Sequence, residues 1–414
     1  MKTATTSAAS TAGLEGAESN TTLESQSGSR GKAAALLGVA AVVITVFLWL
    51  FLHAESQLAI GGLLLLALAA SVGLSKTGVA ARLSQSAAVR PGVARSLAIV
   101  AVLALVAAFH DTHFVLLMLC TVMLYTTACL GLTIQFGFAG VANFAGAAFF
   151  GIGCYATAVL MTKTGLPHLL IIPLAGLISA VIGSVLITPV LRTRGHYAAL
   201  VTIAFGILFR TFIEVNDVLG GPQGLQVPGI QIFGFSLNEN FTLGGVEFSF
   251  YVSYALLALA VCAGAFIMVS ALERSWVGLA MDVVRTDETA AATFGLHIAR
   301  WKVIAFTFGN FLAGVAGSLY AAMAAFIAPN NFTFGDSLLL VSIVILGGLG
   351  NLIGLIPAAL IVLILPEKLQ FIQEYRFLLY AALVIAILLF RPNGLMPRKT
   401  RLFFPIGARK GAAK

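Results

Sequence analysis

The sequence predicts an all-α polytopic membrane protein with about 10–12 transmembrane or re-entrant helices. Of its 414 residues, 59% are hydrophobic and only 10% are charged, and the mean hydropathy is +1.01. A soluble domain carries roughly 25% charged residues. The apolar stretches are continuous and lack the alternating pattern of a transmembrane barrel. Because lipid offers no hydrogen bonds to the backbone, we expect these stretches to be helices.

Apolar runs of about the length needed to cross a membrane follow one another along the chain. A helix needs about 20 apolar residues to cross a hydrocarbon core roughly 30 Å thick. The runs lie at residues 33–53, 58–75, 95–110, 113–134, 144–162, 168–191, 197–215, 250–272, 302–327, 337–366 and 376–391. Residues 1–29 are rich in Ser, Thr, Ala and Gly and predict a disordered tail. We interpret residues 30–112 as accessory N-terminal spans.

Basic residues cluster beside the runs and indicate the sidedness of the chain. Residues 76–95, the pair Arg192 and Arg194, and the tail 398–414 contain basic residues and no acids. Such clusters mark cytoplasmic segments. We therefore predict that the N-terminal and C-terminal tails are both cytoplasmic. The formal net charge of +8 follows from this topology, so nucleic acid is not a predicted partner.

Two glycine-rich segments interrupt the helical pattern. The run 337–366 is too long for one ordinary span and is broken at residues 347–354, so we predict two short or re-entrant helices there. A second break, at residues 137–146, lies in a stretch without Asp, Glu, Lys or Arg. Irregular backbone at membrane depth is tolerated where protein surrounds it or where it lines a path. The residues expected to form a translocation path are Gly137, Gly140, Asn143, Gly146, Gly347, Gly348, Gly350 and Asn351, and close helix packing is the alternative interpretation.

Other small residues indicate helix packing. Gly309, Ala313, Gly317, Ala321 and Ala325 recur at every fourth position and share one helix face. Such a face lets a neighbouring backbone approach closely. The four cysteines fall inside apolar runs with no spacing typical of a metal site, which also favours packing.

Sequence signals for catalysis are absent. There is no GxxxxGK[ST] phosphate loop, no convincing metal cluster and no pattern typical of a catalytic triad. We predict a protein that is not an enzyme and has no cofactor. The spans hold few ionisable residues, which argues against an ion-coupled carrier. Arg210 and Glu214, four residues apart near the end of one run, predict an interfacial salt bridge.

The largest internal polar segment, residues 273–302, lies between two apolar runs and carries charges of both signs. Alternation of the spans places this segment in the cytoplasm. Residues 273–302 are called the coupling segment below. Its length and composition predict a docking loop for a soluble partner. A transporter without its own nucleotide or coupling-ion site would obtain energy from such a partner.

Six stretches in order along residues 113–397 carry a family resemblance. They are Gly137–Gly140 leading into Gly146–Tyr155, Arg192–Tyr197 running into Val201–Gly206, Gly220–Leu225, the coupling segment, Leu346–Asn351 and Phe390–Leu395. Together they resemble the LivM-type permease subunits of ATP-binding cassette (ABC) importers for branched-chain amino acids. The resemblance implies the ABC importer permease fold for residues 113–397.

The resemblance also implies a role for the coupling segment, which is similar to the EAA loop that docks on a cytoplasmic ATPase. The implied contact residues are Arg285, Asp287, Glu288, Thr289, Ala290, Ala291 and Gly295. Thr289 replaces the first Glu of that motif, and Glu288 stands one place earlier. Small alanines permit close approach, and Gly295 ends the short helix.

The partners implied are a homologous permease subunit, cytoplasmic ATPase subunits, an extracytoplasmic solute-binding protein and membrane lipid, in a bacterial inner membrane. The implied cargo is a branched-chain or related hydrophobic amino acid. A urea or amide permease is a close alternative, and a self-contained channel or facilitator or an ion-coupled carrier are alternatives from other classes. The acidic segment 210–249 is expected outside, either contacting the binding protein or solvated.

Overall fold

The computed structural model describes residues 34–76, 79, 86, 91–193, 197–232, 235–243, 245–369, 374–390, 394–396 and 398. The predicted tail 1–29 and most of the basic tail 398–414 lie outside these residues, as do Arg194 and the Arg391–Asn393 part of the last family stretch. The chain divides into two compact units, Met1–His110 and Asp111–Lys414.

The first unit contains three apolar helices in its described part. They are α1 (Ala34–His53), α2 (Gln57–Lys76) and α3 (Pro91–Ala108). Pro91 suits the first position of α3 because an N–H at that position has no partner within the helix. Val39, Val42 and Val43 of α1 are exposed. An apolar face of this kind suits contact with lipid.

The second unit holds the remaining helices. α4 (His113–Thr133) continues through a π-helical turn, Ile134–Phe138, and is followed by α5 (Gly146–Lys163), α6 (His168–Arg192), α7 (Tyr197–Val215), α8 (Phe250–Arg274), α9 (Trp276–Thr286), α10 (Glu288–Thr293), α11 (Ile298–Ala324), α12 (Phe334–Gly347), α13 (Leu355–Lys368) and α14 (Arg376–Phe390). Among the described residues, eight helices are long and apolar enough to cross a membrane, and shorter apolar helices accompany them. The predicted helical polytopic architecture is confirmed.

The centre of this unit is α11, which packs against α4, α5 and α6. Glycines allow the backbones to touch: a Cβ atom on Gly153 of α5 would lie 2.1 Å from the carbonyl oxygen of Gly314, and one on Gly317 would lie 2.0 Å from that of Phe150. The predicted small-residue face of α11 is therefore a packing face. Ala325 does not belong to it, because α11 ends there in left-handed backbone with φ of 57°.

The long run 337–366 forms two helices, as the sequence predicts. Helix α12 begins with a capping box in which Thr333 and Asp336 satisfy each other's backbone N–H groups. It ends at Gly348, whose φ is 103°, and α13 starts at Leu355 after a short turn. A Cβ atom on Gly354 would lie 2.0 Å from the carbonyl oxygen of Gly347. The two glycines thus permit the close crossing of α12 and α13.

Short strands add to the predicted all-α pattern. In the described part of the chain, β1 (Leu225–Gln226), β2 (Gln231–Ile232), β3 (Phe235–Ser236), β4 (Phe241–Leu243), β5 (Val246–Phe248) and β6 (Phe326–Ile327) pair as β1 with β6, β2 with β3 and β4 with β5. Strands of two or three residues are too short to produce a recognisable alternation in sequence. Strands β1 to β5 lie in the polar connection between α7 and α8, and β6 follows α11.

Candidate functional site

The coupling segment folds as two helices joined at a capped corner. Ser275 caps α9 by accepting a hydrogen bond from the Gly278 amide. Asp287 then begins α10, with its Oδ1 accepting from the amides of Thr289 and Ala290 at 2.8 and 3.0 Å. Short polar side chains satisfy the first amides of a helix in this way. Asp287, predicted as a contact residue, therefore has a structural role as well.

The predicted contact residues of α10 divide into exposed and buried groups. Ala291 is completely buried against its own chain, whereas Thr289 is exposed. Glu288 forms an ion pair with Lys302 of α11 at 2.6 Å. Gly295 follows in left-handed backbone with φ of 78° and ends the turn. Ala291 therefore packs α10 against the rest of the chain, while Asp287, Glu288 and Thr289 are exposed.

Large apolar side chains are also exposed on this polar segment. The exposed fraction is 70% for Trp276 and 81% for Phe294, and Leu279 is also exposed. These residues were not among the predicted contact residues. Their signal was available, because an aromatic side chain in a polar segment outside the spans often marks a docking surface.

Glu273, Asp282 and Arg285 of the coupling segment form an ionic cluster with Arg398 of the C-terminal tail. Arg398 donates to both carboxylate oxygens of Asp282, at 2.6 and 2.9 Å. Its Nε lies 3.6 Å from Glu273, and its guanidinium lies 4.4 Å from the centre of the Phe138 ring. A planar guanidinium suits this combination of a two-point carboxylate contact and an aromatic contact.

Both arginines of the cluster reach one backbone carbonyl. Arg285 donates to the oxygen of Gly137, and Nη1 of Arg398 lies 3.5 Å from the same atom. Gly137 lies in the π turn at the end of α4, where carbonyls lack regular helical partners. Burial and the neighbouring Arg398 lower the pKa of Arg285, and Asp282 opposes that change. The two carboxylates offset the repulsion between the guanidinium groups.

The two predicted breaks pack directly against each other. A Cβ atom on Gly137 would lie 2.5 Å from the backbone of Gly350, and one on Gly394 would lie 2.5 Å from Gly348. We call Gly137, Gly348, Gly350 and Gly394 the glycine junction. Gly350 adopts φ of 85°, and a Cβ there would lie 2.7 Å from Cδ of Arg398. Only glycine permits this approach without displacing its neighbours.

The C-terminal segment, described at residues 394–396 and 398, is bound to the break between α12 and α13. The amide of Leu395 donates to the carbonyl of Leu346 at 2.8 Å. Asn351 donates from Nδ2 to the carbonyl of Met396 at 2.9 Å, while its Oδ1 accepts from the amides of Ile353 and Gly354. Asn351 therefore organises the turn and attaches the C-terminal segment to it.

On the other side of the break at residues 137–146, three buried amides form an amide cluster. Nε2 of Gln135 donates to Oδ1 of Asn310 at 2.9 Å and to the carbonyl of Phe306 at 3.0 Å. Asn143 donates to Oε1 of Gln135 at 2.8 Å and to Oδ1 of Asn310 at 3.3 Å, and its Oδ1 accepts from the amide of Ala145. The hydrogen-bonding groups of Asn143 are thus engaged within the chain. Gln135 and Asn310 were missed, although both are polar residues in apolar runs.

The other predicted path residues occupy close contacts. Gly146 begins α5 within 3.2 Å of Leu132 and Leu340, measured from an added Cβ. Gly140 is exposed, has φ of 67° and lies beside Arg285. Gly347 is buried at the crossing with Gly354. Most of the predicted path residues therefore pack helices together and do not border open space in this single chain.

An apolar cleft, which was not predicted from the sequence, lies between α5, α7 and the start of α12. It is lined by Phe144, Ala148, Ile203, Gly206, Phe332, Thr333, Phe334 and Ser337. In this conformation the cleft has no room for a water molecule. A larger molecule would enter only if the surrounding helices moved. Within the described residues, no group of His, Cys, Asp and Glu side chains is placed to hold a metal ion.

Comparisons with known proteins match the second unit. The family model described as branched-chain amino acid transport system / permease component matches residues 114–388. The chain is 35% identical over 304 residues to the high-affinity branched-chain amino acid transport system permease protein LivM of Salmonella typhimurium, covering 70% of this chain and 72% of the relative. LivM of Escherichia coli is 34% identical with the same coverage. LivH of Salmonella typhimurium is 24% identical over 293 residues, covering 66% of this chain and 91% of the relative. No solved structure matches the chain significantly.

Proposed function

Because the chain belongs to the family of branched-chain amino acid transport permease components, we propose that it is a membrane subunit of an ATP-driven importer for branched-chain or related hydrophobic amino acids. It is a multi-pass membrane protein and a transport component, not an enzyme in its own right. The observation that carries the proposal is the family match, which spans the helical bundle and includes the whole coupling segment. Hydrolysis of ATP takes place on separate subunits.

The importer contains a second, homologous permease. Both LivM and LivH relatives align with this chain, which implies a permease partner within a multi-subunit transporter. Helix α7 offers a surface for this partner, because it is little buried in the chain. Its exposed apolar side chains include Leu200, Ile207, Leu208 and Phe212. The substrate path runs between the two permeases.

The coupling segment docks on a cytoplasmic ATPase. The exposed Trp276, Leu279 and Phe294 provide apolar area on the coupling segment, and Thr289 of α10 is also exposed. Arg285 on α9 and Asp287 and Glu288 at the start of α10 supply charge to the segment, and Ala290, Ala291 and Gly295 fix the shape of α10. Closure of the ATPases moves the segment as a rigid body and changes access to the path.

The path residues act at the cytoplasmic end of the route. In this conformation the route is closed there by two segments, one with Gly137, Gly140, Asn143 and Gly146 and the other with Gly347, Gly348, Gly350 and Asn351. The apolar cleft beside Phe144 supports a hydrophobic cargo, because three phenylalanines line it and Thr333 and Ser337 supply hydroxyl groups. The cleft has no room for a water molecule in this conformation, so the passage of cargo requires the surrounding helices to move.

The protein lies in a bacterial inner membrane with both termini in the cytoplasm. The contact between Arg398 and Asp282 supports a shared side for the C-terminal segment and the coupling segment. The connection between α7 and α8 lies at the opposite end of α8, about 37 Å away along a helix of 25 residues. That end contacts the extracytoplasmic binding protein.

The test is ATP-dependent uptake by the complete complex in proteoliposomes, with co-purification of the ATPase as a second measurement. We expect uptake of radiolabelled leucine that requires ATP and the binding protein. Replacing Phe294 with Glu should remove the ATPase during purification and abolish uptake. Leu166→Glu, at an exposed apolar residue in the turn after α5 and outside the coupling segment, is the matched control for docking and should leave the ATPase bound. Flux that does not require ATP would support a channel, and uptake of urea in place of leucine would contradict the proposed cargo.

A further inference from the structure

We infer that Arg398 and Arg285 form a latch that transmits movement of the coupling segment to the glycine junction, so that the C-terminal segment is part of the energy-coupling machinery. The latch consists of the ionic cluster and the Gly137 carbonyl. The inference rests on the proposed function, because it assumes that an ATPase moves the coupling segment. It assigns positioning roles to residues on three separate elements.

Arg398 joins these elements through direct contacts. It is paired with Glu273 at the end of α8 and with Asp282 on α9, and its guanidinium lies over Phe138 in the π turn. Its side chain is 16% exposed, and the side chains of Glu273 and Asp282 are 14% and 34% exposed. A movement of α9 therefore displaces Arg398 or breaks a charged hydrogen bond. Because the same guanidinium lies over Phe138, displacing Arg398 disturbs its contact with the π turn.

Arg285 makes a second connection from α9 to the same place. It lies one turn after Asp282 on α9 and donates to the Gly137 carbonyl. Residues three positions apart on a helix point to the same side. One face of α9 therefore presents the Asp282 carboxylate to Arg398 and the Arg285 guanidinium to the π turn. The carbonyl is thus held from α9 directly and from α9 through Arg398. Because two sets of contacts connect α9 to the Gly137 carbonyl oxygen, this oxygen has little freedom to move relative to α9.

The glycine junction carries the movement onward. Gly137 is in backbone contact with Gly350, and Gly394 is in backbone contact with Gly348. A shift of the π turn therefore presses on the turn between α12 and α13 with no side chain between them to absorb it. The start of α12 lines the apolar cleft through Phe334 and Ser337. Helix α12, which is 14 residues long, connects the junction at its end to the cleft at its start.

The partial exposure of the latch suits a connection that changes between states. A fully buried ion pair is costly to separate, because each charge would be left in a region of low dielectric constant. A pair at the edge of solvent is separated at a smaller cost, since water replaces the lost partner. The planar two-point contact between Arg398 and Asp282 still fixes a defined geometry when it is formed.

The experiment measures leucine uptake and ATP hydrolysis together in proteoliposomes containing the whole complex. For Arg398→Ala we expect the ATPase to co-purify at the wild-type level and to hydrolyse ATP, while uptake per ATP falls on the order of tenfold. Arg398→Lys keeps the charge and loses the two-point contact, so it should give an intermediate ratio. Arg95→Ala removes an exposed basic residue of α3 and is the control, with an unchanged ratio.

Exchange of the charges distinguishes a latch from a general structural contribution. Asp282→Arg alone should lower uptake per ATP, and combining it with Arg398→Asp should restore at least part of the ratio. If Arg398→Ala does not accumulate in the membrane, Asp282→Asn applies the same test without removing the arginine. A wild-type ratio in both Arg398→Ala and Asp282→Asn, with the ATPase still bound, would overturn the latch. Failure of the wild-type chain to bind an ATPase would instead overturn the proposed function.

Discussion

The segment between α4 and α5 is held on one side by the amide cluster and on the other by the ionic cluster. The amide cluster is neutral and closed to water, with exposed fractions of 0% for Gln135 and Asn143 and 1% for Asn310. The ionic cluster is charged and lies at the edge of solvent, with 16% exposure for the Arg398 side chain and 34% for that of Asp282. One segment is therefore attached through contacts of two physical kinds.

The difference in charge and burial indicates that the amide cluster is a fixed anchor and the ionic cluster a contact that can change. Buried amides have no water available as a replacement, so opening the amide cluster would leave several groups unsatisfied at once. Charged groups near solvent exchange a partner for water at a smaller cost. The amide cluster should then fix the segment to α11 in every state of the transporter, while the ionic cluster responds to the coupling segment. The following experiments compare these roles, beginning with the largest expected effect.

The strongest perturbation of the anchor is a side chain at Gly309. A Cβ there would lie 2.5 Å from Nε2 of Gln135 and 2.6 Å from the carbonyl oxygen of Gly131. For Gly309→Val we expect a loss of about 3 kcal/mol or more in unfolding free energy, because the backbones of α4 and α11 must separate. Unfolding in mixed detergent micelles, followed by helix content, measures the loss. Gly264→Val, on α8 with open space around an added Cβ, is the control and should lose far less.

Removing one amide tests the anchor without steric clash. Asn310→Leu leaves one hydrogen of Gln135 and one of Asn143 without their acceptor. We expect a loss of about 2–4 kcal/mol, since each buried unsatisfied group costs about 1–3 kcal/mol. The same unfolding measurement applies, with Asn331→Leu at an exposed position as control. A loss below that of the control would mean that the cluster contributes no stability.

Sequence patterns predicted the parts of this comparison that depend on neighbouring residues. The break between α12 and α13, the small-residue face of α11 and the polar coupling segment were all found from runs and spacings. The two clusters were not found, because they depend on distant pairs: Gln135 and Asn310 are 175 positions apart, and Gly137 and Arg398 are 261 apart. A single sequence records that Gln135 is polar in an apolar run, but does not record which residue satisfies it. The contact between the two glycine-rich breaks was missed for the same reason.

The ionic cluster should contribute less stability than the amide cluster, and its contribution should depend on salt. For Arg398→Ala we expect a loss of about 1–2 kcal/mol at low ionic strength, because the pair is partly exposed. Raising the salt concentration from about 0.1 M to about 1 M shortens the screening length from about 10 Å to about 3 Å. At high salt the difference in unfolding free energy between wild type and Arg398→Ala should shrink. The difference between wild type and Asn310→Leu should stay constant. If the loss of unfolding free energy in Arg398→Ala did not depend on salt, the ionic and amide clusters would not differ in the way proposed.

The smallest effect should come from the ion pair that sequence spacing predicted. Arg210 and Glu214 are paired at 2.9 Å on α7, but their side chains are 39% and 36% exposed, and Arg210 also donates to Asn330. For Arg210→Ala we expect a loss below about 1 kcal/mol, because an exposed pair gains little over hydration of the separate charges. The unfolding measurement at low and high salt checks this. A loss as large as that of Arg398→Ala would mean that ionic bonds contribute equally wherever they lie, and the partial burial of Arg398 would no longer explain its effect.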